Sequence, residues 1–263
     1  MNNLAVLITS HNRKNKTIEC LSNLYKQADF INFKTEIFLV DDNSTDGTAD
    51  AIKKKFTDVN LIKGDGNLFW GGGTHLAWEE AIKRKKFEYF LWLNDDTLLF
   101  PNALQMLFKC KEFAKSDEFI AVGSTCDSYK NNWTYGGFKN LNKKIAIFEN
   151  KKIYPSDGFQ FIDRFNGNIV LISNKAFIKI GKFDKSLNHY FGDIDYSIRA
   201  SIKKIPIILT PSYLGICNVG KKKRSLKDLF YNKKIVKSGF IFCKKHGNEF
   251  WLFQFIRLLF RFR

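Results

Sequence analysis

Short apolar runs alternate with amphipathic stretches through the first hundred residues, and this alternation limits the fold more than any other feature of the sequence. Apolar runs rich in β-forming residues occur at 4–9, 36–40, 59–62 and 89–93. Between these runs, apolar residues recur at helical spacing. This change of period is typical of β-α-β units, in which helices connect parallel strands. The run at 89–93 is apolar throughout and predicts a central strand that is buried on both faces.

The regular alternation ends near residue 100. A further helix is predicted there, followed by a β-rich part that includes residues 133–153 with a turn at Gly136 and Gly137. No internal repeat and no Pro/Ser-rich linker interrupts the chain before residue 220. We therefore expect one α/β domain over residues 1–220, with a mixed central sheet flanked by helices, and a C-terminal helical appendage over residues 221–263.

The positive charge of the chain is concentrated in that appendage. Residues 221–263 contain thirteen Lys or Arg and two acidic residues, a net charge of +11 out of +17 for the whole chain. Phe and Trp residues are interleaved with the basic ones, and a stripe of Gln254, Arg257 and Arg261 interrupts the last apolar segment. That segment is shorter than the roughly twenty residues that a membrane-spanning helix needs.

These features predict a helix that lies on an anionic membrane surface, with its aromatic side buried and its arginines toward the headgroups. Two alternatives remain open. The helix could pack its apolar face on the rest of the chain or on a second subunit, forming a homodimer. The basic aromatic tail could instead grip nucleic acid, although nothing in the first 220 residues resembles a nucleic-acid-binding fold, and we expect no nucleic-acid partner.

Cysteine usage and the start of the chain both indicate the cytoplasm. The five cysteines lie far apart and form no CxxC pair, so we expect reduced structural thiols without a zinc site or a disulfide framework. The first apolar run, residues 4–8, is too short for the core of a signal peptide.

Three acidic clusters fall at the ends of predicted elements, where open α/β sheets bind their ligands. The cluster at 40–47 follows the second strand and is also what a turn with a helix start requires. Asp95 and Asp96 follow the strand at 89–93, and two adjacent carboxylates suit a Mg²⁺ or Mn²⁺ ion that holds a diphosphate, although a solvated turn is the alternative. Asp193 and Asp195 begin a helix, where carboxylates either favour the helix dipole or act as a general base.

In this order and spacing, the clusters resemble those of family 2 glycosyltransferases, especially bacterial rhamnosyltransferase-like members. The resemblance covers about residues 4–220 and is carried by four segments in sequence: 9–13, 40–47, 94–96 and 191–195. It implies a GT-A fold, which is Rossmann-like and binds nucleotide-diphospho-sugars. The first hundred residues would bind the donor, and residues 101–220 would bind the acceptor.

The resemblance also implies roles for individual residues. Asp193 would be the general base, and Asp96 would hold Mn²⁺ or Mg²⁺ with weak help from Asn218. Asn168 would lie on the acceptor side, and Asp195 would be structural or an acceptor contact. Donor-binding roles are implied for Thr9, Asn12, Arg13, Asp42, Asn67, Trp70, Gly71, Gly72 and Asp95, of which Asp42 would hydrogen-bond the base and Asp95 would lie near the ribose or the metal.

The sequence departs from the family pattern at three points. The DxD motif of the family reads Asn94-Asp95-Asp96, so its first ligand is an amide. Where many relatives have a late histidine, this chain has Cys217 and Asn218. The usual Glu-Asp pair is Gly192-Asp193.

The implied reaction is an inverting transfer from a UDP- or dTDP-linked sugar to a hydroxyl of a glycan or lipid-linked acceptor, in bacterial surface polysaccharide synthesis. Nucleotidyl transfer onto a sugar phosphate is an alternative, and the two reactions differ in whether nucleoside diphosphate or pyrophosphate is released.

Overall fold

The structure is a computed structural model and describes residues 3–27, 33–129, 132–140, 150–188, 190–219, 233–247, 251–253 and 255–256. Its strands are β1 (Asn3–Ser10), β2 (Lys34–Asp41), β3 (Asn60–Lys63), β4 (Tyr89–Leu93), β5 (Leu98–Leu99), β6 (Ile120–Cys126), β7 (Trp133–Tyr135), β8 (Gly137–Asn140), β9 (Asn150–Ile153), β10 (Gln160–Phe161), β11 (Arg164–Phe165), β12 (Ile169–Ser173) and β13 (Ile207–Ile216). Its α-helices are α1 (Lys14–Leu24), α2 (Thr48–Lys55), α3 (Phe69–Arg84), α4 (Ala103–Ala114), α5 (Asn174–Ile180), α6 (Gly192–Ile202) and α7 (Lys233–His246). A 3₁₀ helix covers Lys185–Leu187.

A mixed sheet forms the centre of the molecule, as the sequence predicted. Within the described residues its main path runs β10-β13-β6-β12-β4-β1-β2-β3, with β5 on β13 and β7 on β6. The strands β4, β1, β2 and β3 are parallel neighbours, which is the arrangement expected of consecutive β-α-β units. Strand β12 is antiparallel to both β4 and β6 and joins the two halves of the sheet.

Helices cover both faces of this sheet, and the alternation of side chains along β1 shows the two resulting cores. Leu4, Val6 and Ile8 point to the face that packs against α1 and α4. Ala5 and Leu7 point to the opposite face, which packs against α3 and α6. Every residue of β4 is buried, which confirms the prediction of a central strand covered on both sides.

Two local predictions were wrong. Helix α3 was predicted from Thr74 but begins at Phe69, so the glycine-rich stretch before Thr74 is helical.

The second wrong prediction was a turn at Gly136 and Gly137. Strand β7 pairs with β6 in the large sheet, whereas β8 pairs with β9 and β11 in a separate three-stranded sheet, so no chain-reversing turn joins β7 and β8 there. A side chain at Gly136 would collide with Ser124, so the glycine allows the chain to cross closely between the sheets.

The described part of the C-terminal appendage packs on the domain. Phe242 and Cys243 of α7 are fully buried against Leu187 and Ile198. Phe242 also stacks on Phe191, with ring centroids 5.2 Å apart. Helix α7 therefore packs on the rest of the chain. The alternative that the sequence left open concerned the last apolar segment, of which the structure describes only residues 251–253 and 255–256. The basic run 221–224 and the stripe of Gln254, Arg257 and Arg261 lie outside the described residues.

Candidate active site

The sheet brings the acidic clusters to one edge. Strands β1, β2 and β4 are parallel neighbours, so the loops that follow Ser10, Asp41 and Leu93 leave the sheet side by side. Strand β12 runs the other way and pairs Ile169 with Leu93. The segment just before it therefore enters at this same edge, and the Asn94 N–H donates to the Asn168 carbonyl over 3.1 Å.

Arg13 joins the two adjacent carboxylates. Its Nη1 lies 3.0 Å from Asp95 Oδ1 and 2.8 Å from Asp96 Oδ2. Burial raises the pKa of Asp95 to about 6, although the charge of Arg13 opposes this shift. Asp96 is more exposed than Asp95 and also has Lys16 Nζ at 3.8 Å. No sequence pattern indicated this position of Lys16, because it depends on how α1 packs beside β4.

Cys217, directly after the end of β13, contacts Asp96. Its Sγ donates to Asp96 Oδ1 over 3.4 Å and accepts from Asn168 Nδ2 over 3.3 Å. Burial raises the pKa of the Cys217 thiol to about 12, so the thiol is neutral at physiological pH. Asn218 lines a small pocket beside Asp96, but its Oδ1 accepts hydrogen bonds from the Ser128 N–H and hydroxyl. In this arrangement Asn218 ties two loops together.

Hydrogen bonds join the loop after β1 to the loop after β2. Asn12 adopts a left-handed conformation with φ 51°, and its side-chain oxygen accepts from the Thr45 N–H over 2.8 Å. The Asn12 N–H donates to the Ser44 hydroxyl over 2.8 Å. The Lys14 N–H donates to Asp46 over 3.0 Å. Asn12 therefore shapes the loop that presents Arg13.

Asp42 is bound by the backbone of the donor-side loop. It is only 2% exposed, and its two carboxylate oxygens accept from the backbone N–H groups of Gly66 at 2.7 Å and Phe69 at 3.0 Å. The bond to Phe69 satisfies a free N–H at the start of α3. This geometry favours a role in holding the donor-side loop over contact with a base.

The glycines at the start of α3 serve packing. A side chain at Gly71 would collide with Phe183 and with the backbone of Asn188, and Gly72 packs against Leu68. Both glycines are buried, so a direct approach to a phosphate is not the feature that requires them here. Asn67, just before the helix, is exposed.

Asp193 lies beside the segment that leads into β12. Its Oδ2 accepts from the Gly167 N–H over 3.1 Å and its Oδ1 accepts from the Ile194 N–H over 2.8 Å. Burial raises the pKa of Asp193 above its ordinary value, although these hydrogen bonds oppose the shift. A side chain at Gly167 would overlap the indole of Trp70, which packs there, and the Trp70 carbonyl is 3.5 Å from Thr9 Oγ1. Trp70 and Thr9 thus border the same crevice as Asp193.

Asp195 has an ionic environment that the sequence did not reveal. Its side chain is fully buried, with Arg199 Nε at 2.8 Å, Lys245 Nζ at 2.7 Å and His246 Nε2 at 2.8 Å. Burial alone would raise the pKa of Asp195, but the His246 hydrogen bond, the charge of Arg199 and the Lys245 hydrogen bond hold it well below its usual range. Of the two roles predicted for Asp195, this geometry fits the structural one. Its partners on α7 follow it by fifty residues, a separation that no local pattern spans.

The carboxylates at this edge fit a divalent ion whose remaining ligands come from a phosphate. Among the residues that the structure describes, no three His, Cys, Asp or Glu side chains converge on one point. Mg²⁺ sites commonly use only one or two carboxylates and complete their shell with water and substrate phosphates. Asp96, the more exposed of the pair, meets that requirement, with Asp95 behind it.

The fold and this edge of acidic loops define the class as a GT-A glycosyltransferase fold. The chain belongs to Glycosyl transferase family 2, whose model matches residues 5–178. It is 27% identical over 154 residues to a poly(ribitol-phosphate) beta-glucosyltransferase of Bacillus spizizenii, a match that covers 57% of this chain and 23% of the relative.

Two solved structures share the fold. A mannosyltransferase, PcManGT from Pyrobaculum calidifontis in complex with GDP-Man and Mn²⁺, has a TM-score of 0.61 and 16% identity, and the match covers 90% of this chain and 63% of that one. S. aureus TarS 1–349 has a TM-score of 0.60 and 16% identity, with 92% and 64% covered. The chain thus spans about a quarter of the curated relative and just under two thirds of these solved chains. Asp193 lies beyond the family match.

Proposed function

We propose that this protein transfers a sugar from a nucleoside-diphosphate donor to an acceptor hydroxyl, with inversion at the anomeric carbon. The observation that carries the proposal is a continuous set of contacts between the two acidic motifs. Asp193 is bonded to the backbone of Gly167, and the next residue, Asn168, is bonded to Asn94 beside the Asp95–Asp96 pair. A base and a diphosphate-binding pair at opposite sides of one crevice are what a single displacement requires.

Asp193 is the proposed general base. It would accept the proton of the acceptor hydroxyl as that oxygen attacks the anomeric carbon. A raised pKa makes the ionised carboxylate a better proton acceptor than an ordinary aspartate. One displacement with no covalent intermediate inverts the configuration at the anomeric carbon.

Positive charge at the other side of the crevice would stabilise the leaving diphosphate. Bound Mn²⁺ or Mg²⁺, held by Asp96, would neutralise charge on the phosphate oxygens. Arg13 uses Nη1 for the two carboxylates, which leaves its other N–H groups to bind a phosphate. Asn12 and Asp42 hold the loops that present these groups.

The relatives indicate the substrate classes. A second structure of S. aureus TarS 1–349 is in complex with UDP-GlcNAc, and the mannosyltransferase structure contains GDP-Man. The name of the Bacillus relative contains poly(ribitol-phosphate), which indicates a polymer of ribitol phosphate as its acceptor. For this chain we propose a UDP- or dTDP-linked donor and a glycan, polyol-phosphate or lipid-linked acceptor used in building a surface polysaccharide.

We propose that the tail also holds the protein at the inner face of the cell membrane, as a peripheral protein. Beyond α7, the side chains of Leu252, Phe253 and Ile256 are 53%, 52% and 44% exposed, and the tail carries most of the net charge. No helix in the described part of the chain is long and apolar enough to cross a bilayer. Exposed apolar side chains beside basic residues support binding to the surface of an anionic membrane.

The proposed transfer is tested with UDP- and dTDP-sugars, Mn²⁺ and a panel of hydroxyl acceptors. We expect release of free nucleoside diphosphate, and the Asp193→Asn variant should transfer about a hundredfold more slowly with donor binding unchanged. Asp50→Asn removes an exposed carboxylate on α2 and is the control. Release of pyrophosphate would indicate nucleotidyl transfer instead, and near wild-type transfer by Asp193→Asn would exclude it as the base.

A further inference from the structure

A groove lies between the donor-side loop and the C-terminal helix, outside the crevice described above. It has a volume of about 330 Å³. Three segments form its walls: the loop before α3 with Asn67, the 3₁₀ helix with Lys185 and Ser186, and α7 with Lys237 and Ser238. None of the described residues that line it is acidic. We call it the lysine groove.

Lys185 and Lys237, the two lysines of the groove, differ from nearby lysines in their ion pairing. Lys182 is paired with Glu79 at 2.8 Å, and Lys245 is paired with Asp184 at 2.6 Å. Within the described residues Lys185 and Lys237 form no ion pair, and both are exposed. Two uncompensated positive charges in a concave site concentrate positive potential there, which favours an anion.

The rest of the lining consists of neutral hydrogen-bonding groups and two apolar side chains, Phe69 and Ile241. Ser238 is only 3% exposed, and Asn67, Ser186 and Asn188 lie around the same cavity. Lysine ammonium groups together with hydroxyl and amide groups suit the several acceptor oxygens of a phosphate. A flat apolar ligand would leave these polar groups without partners.

The groove adjoins the crevice through one short segment. The Asn188 carbonyl accepts from the Gly71 N–H over 2.9 Å, and Asn188 Nδ2 lies 3.5 Å from the Asn67 carbonyl. Trp70, in the same segment, packs on Gly167, which binds Asp193. A long ligand can therefore occupy the groove and extend past this rim toward the base.

We propose that the lysine groove binds a phosphate group of the acceptor, which makes a phosphodiester-linked polymer the preferred acceptor class. This inference rests on the proposed function, because it assumes that an acceptor approaches Asp193. The same chemistry could be supplied by the phosphate headgroup of a membrane lipid, so the experiment includes both sources.

The experiment measures binding rather than turnover. The probes are a short ribitol-phosphate oligomer and vesicles of phosphatidylglycerol and phosphatidylcholine, titrated against the full chain. In the double variant Lys185→Gln and Lys237→Gln, affinity for the oligomer should fall on the order of tenfold or more, because two charged contacts are lost. Vesicle affinity should fall much less than oligomer affinity, because most of the basic residues of the tail and its exposed apolar side chains remain. The control is Lys203→Gln, an exposed lysine after α6, which should bind the oligomer like the wild type.

Each other outcome overturns the proposal. Equal oligomer affinity in the double variant and the wild type would show that the groove binds no phosphate of that polymer. A loss of vesicle binding alone would assign the groove to a lipid headgroup and overturn the acceptor assignment. Failure of the proposed function is separate, because it would appear as absence of sugar transfer whatever the binding results.

Discussion

Adjacent residues in this protein have different chemistry because their surroundings differ. Asp95 is 5% exposed and enclosed by Arg13 and Thr17, whereas Asp96 points to a small pocket that Lys16 also lines. Burial disfavours the charge on Asp95 and leaves Asp96 as the carboxylate that an ion can reach. Arg13 contacts both carboxylates, and Asp96 is the more exposed of the two, which is why it is the proposed ligand of the ion.

At this scale we predict the effect of Asp96→Ala on ligand-induced stabilisation. A nucleoside diphosphate with Mn²⁺ at about a hundred times its dissociation constant should stabilise the wild type by roughly 2.7 kcal/mol, measured as a shift in melting temperature. The part of this shift that requires Mn²⁺ should vanish in Asp96→Ala, whereas the exposed-site control Asp50→Asn should keep it. A full metal-dependent shift in Asp96→Ala would remove Asp96 from this role.

At the scale of elements, α6 links the crevice to the C-terminal appendage. Its first turn carries Asp193 toward Gly167, and the next acidic residue, Asp195, is bonded to Lys245 and His246 of α7. Phe191, in a left-handed conformation with φ 67° just before α6, stacks on Phe242 of α7. The helix that bears the proposed base is therefore held by a helix that the sequence pattern assigned to a separate tail.

The prediction at this scale concerns Asp195→Ala. Removing a fully buried carboxylate leaves Arg199 and His246 without their anion, which should lower the free energy of unfolding by about 3 kcal/mol. Glu79→Gln, which breaks a more exposed ion pair with Lys182, should cost about 1 kcal/mol or less. Urea denaturation measures both free energies of unfolding. An equal decrease in the two variants would contradict the stabilising role of the buried Asp195.

The same carboxylate gives the wild type a pH dependence of stability. Because the pKa of Asp195 is lowered in the folded protein, its contribution is present above the ordinary aspartate value of about 4. It should be lost as the pH falls below that value toward the lowered pKa. The Asp195→Ala variant should lose less stability than the wild type over that acidic range.

At the scale of the whole molecule, charge and exposed apolar surface are distributed unevenly. The chain carries a net charge of +17, most of it after residue 220, and the exposed Leu252, Phe253 and Ile256 lie in that part. Electrostatic attraction to an anionic membrane weakens with salt, whereas burial of apolar side chains does not. The two contributions can therefore be measured separately.

We predict that replacing Leu252, Phe253 and Ile256 by serine lowers the salt-resistant affinity for phosphatidylglycerol vesicles about a hundredfold, since each apolar side chain contributes about 1 kcal/mol. The matched control replaces Ile178 and Ile202, which are 69% and 68% exposed elsewhere on the surface, and should bind like the wild type. Vesicle flotation at high salt measures both. Unchanged binding by the triple variant would contradict the membrane proposal.

The sequence determined the elements and their order. Apolar periodicity is a local signal, so the strands β1, β2, β3 and β4 lie within one or two residues of their predicted bounds. Parallel strands place their carboxyl ends together, which predicted that the cluster at 40–47 and the pair Asp95 and Asp96 would share one edge. Asp193 begins a helix, and its place beside them was implied by the resemblance.

Only the tertiary structure decided what several of these residues contact. Asp42 caps α3, and Gly71 makes room for Phe183. Asp195 meets His246 of α7, more than fifty residues further along the chain. Each of these contacts joins segments that are distant in sequence, and a carboxylate or a glycine has the same local pattern whether its partner is a ligand, a helix end or another helix. Local periodicity therefore fixes where elements form, and their packing fixes which polar groups remain free to bind a substrate.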